Sequence, residues 1–119
     1  MKSEMKSFTY ACNGILYAIR SEKHMRFHLL AAFLVTVAGW FFSINTTEWC
    51  LIITTIGAVI AAEIFNTALE QLVNLVSPQQ HVIAGKVKDL AAGAVLVISI
   101  AALIIGLIIF IPKILTYTF

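Results

Sequence analysis

WCLIITTIGAVIAAEIFNTALEQLVNLV, residues 49–76, is long enough to cross a bilayer and carries only two charges, Glu63 and Glu70. A hydrocarbon core about 30 Å thick takes about 20 residues of helix. A carboxylate inside it costs on the order of a few kcal/mol, so two in one span call for a function that offsets the penalty. They lie seven residues apart. At about 100° per residue this is close to two helical turns, so both project to one side, roughly 10 Å apart along the axis. Asn66, Thr67 and Asn74 fall on that side too and complete a polar stripe that cannot face lipid.

The flanking sequence extends the same reading. Leu29 to Ile44 is uncharged and slightly short for a span, and residues of the preceding segment can complete it; Leu90 to Pro112 is uncharged throughout. Of 119 residues, 61% are hydrophobic and 12% charged, and the mean hydropathy is +0.96. A soluble domain of this length would carry far more charge. The predicted fold is an all-α integral membrane protein forming one domain over 1–119, with three transmembrane helices at about 28–45, 48–76 and 86–113. Before them, Phe8, Ala11, Cys12, Ile15, Ala18 and Ile19 recur at helical spacing between polar positions, which predicts an amphipathic interfacial helix over about 5–27. No cleaved signal peptide is expected, because the apolar run begins only at Leu29.

Lys2, Lys6, Arg20, Lys23 and Arg26 precede the first span, and Lys86 and Lys88 lie between the second and third. The turn Ser43 to Glu48 has neither Lys nor Arg. The bias toward positive charge on the cytoplasmic side therefore predicts a multi-pass protein with its N-terminus and the 77–88 loop in the cytoplasm. Trp40 and Trp49 bracket the outer turn, and Ser77-Pro78-Gln79-Gln80 ends the second span. Cys12 and Cys50 fall near opposite faces and have no histidine pairs at metal-site spacing. The net charge of +2 adds only mild attraction to anionic headgroups, and no nucleic-acid partner is expected.

The stripe runs toward the cytoplasm, where Glu22, Lys88 and Asp89 should meet it. Glu22 and Glu70 could share Mg²⁺, which prefers oxygen ligands and completes its shell with water and phosphates; Lys88 could neutralise a phosphate. Duller readings stand beside these. Glu22 and Arg26 fit an ordinary i,i+4 pair, Lys88 and Asp89 a snorkelling cation and a helix-start acid, Asn66 and Thr67 helix packing. His24, His28 and His81 read as ordinary interfacial residues. Phosphate-loop, dinucleotide and G-x-S-x-G motifs are missing from the sequence, so a conventional soluble enzyme fold is excluded.

Glu63-Ile-Phe-Asn66-Thr67-Ala68-Leu69-Glu70, followed by Lys88-Asp89-Leu-Ala-Ala-Gly-Ala-Val-Leu, resembles the signature of the prokaryotic diacylglycerol kinase family. Glu22 to His28, Thr46-Thr47-Glu48-Trp49 and Ile111-Pro112-Lys113 resemble its Gram-positive branch, whose acceptor is undecaprenol. The resemblance implies a homotrimer in the bacterial cell membrane, with active sites shared between neighbours, that uses ATP and Mg²⁺ to phosphorylate a lipid alcohol. By position it makes Glu63 the catalytic base and Glu22 and Glu70 the metal ligands. It puts Tyr10, Glu22, Glu70, Gln79, Gln80, His81, Lys88 and Asp89 against ATP, and Glu63 and Asn66 against the lipid. Asn74 stands where the family usually has Asp, His24 where it has Asn, and Gln79-Gln80 where Glu-Tyr is commoner.

Undecaprenol phosphorylation is the expected function and diacylglycerol phosphorylation its alternative. Intramembrane carboxylates also serve ion-coupled transporter subunits as proton relays, or a structural partner could use the stripe to bind helices. The apolar outer half of the 49–76 helix speaks against a relay reaching both faces.

Overall fold

The computed structural model describes residues 2–118 and is built of four helices: α1 (Lys2–Ser21), α2 (Lys23–Phe41), α3 (Thr46–Val76) and α4 (Val82–Thr118). Among the described residues, α2, α3 and α4 are the helices long and apolar enough to cross a membrane. The helix expected over 5–27 ends at Ser21 instead. Glu22 takes an extended conformation, φ −112° and ψ 116°, and turns the chain from α1 into α2. The first apolar helix consequently starts at Lys23, which supplies the residues that Leu29–Ile44 lacks. α4 likewise begins at Val82, so Lys86 and Lys88 ride on a helix rather than in a loop.

The turn between α2 and α3 is closed by local chemistry. Ser43 has φ 53°, the left-handed conformation that ends helices. The Ile44 amide donates to the Gly39 carbonyl at 3.1 Å and the Ser43 amide to that of Trp40 at 3.3 Å. Ile44 and the Trp49 ring then pack so closely that a Cβ on Gly39 would meet each at 2.9 Å, so a larger residue there would have to push these side chains aside. Asn45 caps α3 reciprocally. Its side chain accepts from the Glu48 amide at 2.9 Å, and Glu48 Oε1 accepts from the Asn45 amide at 3.0 Å.

α3 and α4 pack antiparallel, tied at one end by Lys113 and Glu48 at 3.1 Å and at the other by Lys88 and Asn74 at 2.7 Å. By that register Ser99 on α4 comes level with Glu63. The buried apolar cluster lies toward the α2–α3 turn: Ile44, Ile52 and Ile109, with Val35, Phe42, Trp49, Ile56, Ile105 and Phe110 against it. Elsewhere large apolar side chains point outward. Only 22% of the most apolar stretch of α3 is buried within the chain, the inverse of a soluble domain and the arrangement that lipid or further protein must cover. The half of the bundle nearer the α3–α4 turn, where apolar packing is thinner, holds the polar side chains.

Candidate functional site

The extended backbone of Glu22 brings the α1–α2 junction against α3. Its carboxyl group is hydrogen-bonded with Glu70 and feels the charge of Glu63. It is held above the ordinary carboxylate range, first by burial, then by the negative charge of Glu70 and a hydrogen bond with it, then by Glu63, with His24 offsetting a little. Two carboxyls sharing a hydrogen bond need a proton between them, or a cation in its place. Asn66 Nδ2 donates to Glu70 Oε1 at 3.4 Å, one turn along the stripe. Among the described residues no cluster of three or more His, Cys, Asp or Glu is poised around a metal. A pair of carboxylates is nonetheless enough for Mg²⁺, which is usually held by one or two, with water and phosphate oxygens filling its shell.

Deeper on the same face, Glu63 is 4% exposed. His28 Nε2 stands 3.3 Å from its Oε1. Thr67, also buried, uses its hydroxyl on the Glu63 backbone carbonyl at 3.0 Å and so leaves the carboxylate alone. Two buried polar atoms nearby in depth have no hydrogen-bond partner, Asn66 Oδ1 and Ser99 Oγ. Such atoms are expensive to leave unmet, and a substrate hydroxyl is a chemically suitable partner for both.

A second group of polar residues lies about 6 Å further along α3, one turn past Glu70. Asn74, Ser77, Gln79, Gln80, His81 and Lys88 line a hollow of about 540 Å³ at the α3–α4 turn. Lys88 Nζ donates to Asn74 Oδ1 at 2.7 Å. His81 Nδ1 accepts from the Ile83 amide at 3.1 Å and so caps the start of α4. The positive end of that helix and the Lys88 ammonium together favour an anion here.

The candidate residues thus form two neighbouring groups: Glu22, Glu63, Asn66 and Glu70, and then Gln79, Gln80, His81 and Lys88. Two candidates join neither. Tyr10 is 70% exposed on α1, about 18 Å along the helix axis from Glu22. Asp89 points away from the hollow, into a groove on α4 with Lys86, Leu90, Gly93, Ala94 and Val97. Sequence reasoning missed His28 and Ser99. An ionisable residue at the start of a span is suspect for the same reason as Glu63, so His28 could have been found; one serine in an apolar helix carries no such signal.

Residues 9–110 match the family model described as prokaryotic diacylglycerol kinase. The chain is 41% identical over 108 residues to the undecaprenol kinase of Bacillus subtilis, covering 91% of this chain and 88% of that one. It is 35% identical over 111 residues to a diacylglycerol kinase of Synechocystis, with 92% and 63% covered. To the diacylglycerol kinase of Escherichia coli K12 it is 28% identical over 100 residues, with 84% and 82% covered.

Proposed function

Because this chain belongs to the prokaryotic diacylglycerol kinase family, we propose that it phosphorylates undecaprenol, with ATP as the phosphoryl donor and Mg²⁺ as its metal. The protein is a membrane lipid kinase. The acceptor is argued from its identity to the Bacillus enzyme, which exceeds that to the diacylglycerol kinases compared above. The observation that carries the chemistry is one face of α3: an enclosed carboxylate at Glu63, a carboxylate pair at Glu70 and Glu22, and a cationic hollow at Lys88.

Glu63 takes the proton of the lipid hydroxyl as its oxygen attacks the γ-phosphorus, and the bond to ADP breaks. Asn66 Oδ1, and Ser99 at the same depth, hold the alcohol in line. Glu22 and Glu70 would hold Mg²⁺, which supplies positive charge across the phosphate oxygens when bound. Lys88 and the start of α4 take the phosphates through the Gln79–His81 turn. Such catalysis works by positioning and electrostatics. The N-terminus and the 77–88 loop are cytoplasmic in this reading, so ATP enters from the water while the lipid arrives laterally. A homotrimer completes the site, because Asp89, turned away from its own chain's hollow, can reach a neighbour's and the outward apolar faces find cover.

The test uses purified protein, labelled ATP and mixed micelles. Polyprenol should give a higher kcat/KM than diacylglycerol; the opposite order overturns the acceptor and leaves the kinase standing. Glu63→Gln should lower kcat by about 10²-fold or more with ATP binding retained, whereas Glu70→Gln should raise the Mg²⁺ requirement. Equal, minor effects of the two changes would return the stripe to a packing role.

A further inference from the structure

We infer that His28 is the positioning residue for Glu63: its Nε2–H holds Oε1 of the carboxylate, leaving Oε2 free to take the lipid's proton. The inference rests on Glu63 being the base. Three observations carry it. His28 Nε2 lies 3.3 Å from Glu63 Oε1, and among the described residues it is the one side chain in polar contact with that carboxylate. The Glu63 side chain is 5% exposed, so water cannot take the place of a donor, while that of His28 is 18% exposed. The other neighbours are committed or have the wrong sign. Thr67 bonds the Glu63 backbone carbonyl, Asn66 Nδ2 bonds Glu70, and Glu22 brings a second carboxyl.

An enclosed carboxylate without a donor is unfavourable and free to rotate. A base must also present its oxygen within hydrogen-bond reach of the hydroxyl. A histidine on the neighbouring helix meets both needs, and it does so across the α2–α3 contact. The aim of the base is then set by helix packing rather than by its own rotamer alone. His28 borders the Phe27 ring, edge to face with centroids 5.7 Å apart, which restricts the imidazole in turn.

The donor, not the imidazole as such, is what the role requires, and this separates it from bulk packing. His28→Leu should lower kcat by about 10- to 100-fold, the scale of a misaimed catalytic group, with KM for ATP unchanged within about twofold. His28→Gln, whose amide can put an N–H where Nε2 stands, should recover most of the rate; His28→Asn, one bond shorter, should not. In a Glu63→Gln background His28→Leu should have no further effect, since it acts through the side chain already lost.

Each variant is first checked for wild-type elution and unfolding temperature in detergent. If His28→Leu fails to fold, the Gln and Asn pair decides alone. Wild-type kcat in His28→Leu, equal rates in the Gln and Asn variants, or additive loss with Glu63→Gln would each overturn the inference. A fully active Glu63→Gln would instead overturn the base on which it stands, and the two failures are therefore distinct.

Discussion

Asn74→Asp puts a negative charge where Lys88 is already held. The Lys88 ammonium lies 2.7 Å from Asn74 Oδ1 in an exposed setting. At that separation a full charge pair in water is worth about 1.5 kcal/mol, and screening and side-chain entropy bring exposed pairs down to about 0.2–1 kcal/mol. The new carboxylate therefore holds Lys88 more firmly by up to about 1 kcal/mol. If Lys88 takes the ATP phosphates as proposed, a phosphate must overcome this hold to recruit the ammonium. KM for ATP should rise by about two- to fivefold, at the conversion of about 1.4 kcal/mol per decade, with kcat little changed. Initial rates of label transfer to polyprenol across an ATP series measure it. Repeating the series at about 1 M salt, where the Debye length is about 3 Å, should shrink the difference. The family's usual Asp suggests the contrary outcome, higher activity or a sharper Mg²⁺ response. An unchanged or lower KM for ATP, or a lower Mg²⁺ requirement, would refute the reasoning from Lys88 and put the carboxylate in the metal site.

Glu22 should make stability depend on pH. Its carboxyl is raised above the ordinary value, so the folded state keeps a proton that the unfolded chain has lost. Stability is then greatest below the ordinary value and falls as pH rises through the raised one. Unfolding in detergent should be easier at pH about 7.5 than at about 5, and Glu22→Gln, or Mg²⁺ at the higher pH, should remove that difference. Glu48→Ala takes away half of the Asn45 capping box and the partner of Lys113. It should lower the denaturant midpoint while kcat and KM stay as they are. A cysteine at Thr46 should react with an impermeant thiol reagent in intact cells, in a background lacking Cys12 and Cys50, and one at Gln80 only after permeabilisation. The reverse pattern would invert the orientation.

How much of this was legible depends on what each residue's placement requires. The three spans follow from uncharged length, because a run such as Leu90 to Pro112 leaves few alternatives in water. Glu63, Asn66 and Glu70 share a face by helical period alone, so their grouping needed no tertiary information. Glu22 did need it. Its approach to Glu70 depends on an extended residue between two helices, and the periodicity of 5–27 gave no sign of a break at Ser21. His28 and Ser99 depend on which faces of α2 and α4 meet α3 and at what register, set by contacts such as Lys88–Asn74 that no local pattern encodes. Tyr10 and Asp89 join neither polar group within one chain, because the surfaces they occupy look outward.

Under the roles proposed above, the position of each group along α3 also explains how so small a protein can join a lipid to a water-soluble donor. Thirty-one residues make a helix of about 46 Å, longer than the roughly 30 Å hydrocarbon core. With Trp49 near one boundary, about 20 residues bring the chain to Leu69 and Glu70 at the other. Glu63 then lies about two turns inside the hydrocarbon, where a lipid hydroxyl must come to meet it and a carboxylate needs a donor such as His28. Glu70 and Glu22 lie at the boundary, where a hydrated cation can reach them. Asn74 and Lys88 lie beyond it, in reach of a soluble nucleotide. With the proposed base at Glu63 and the proposed cation at Glu70, a shorter helix would leave one of them on the wrong side of that boundary.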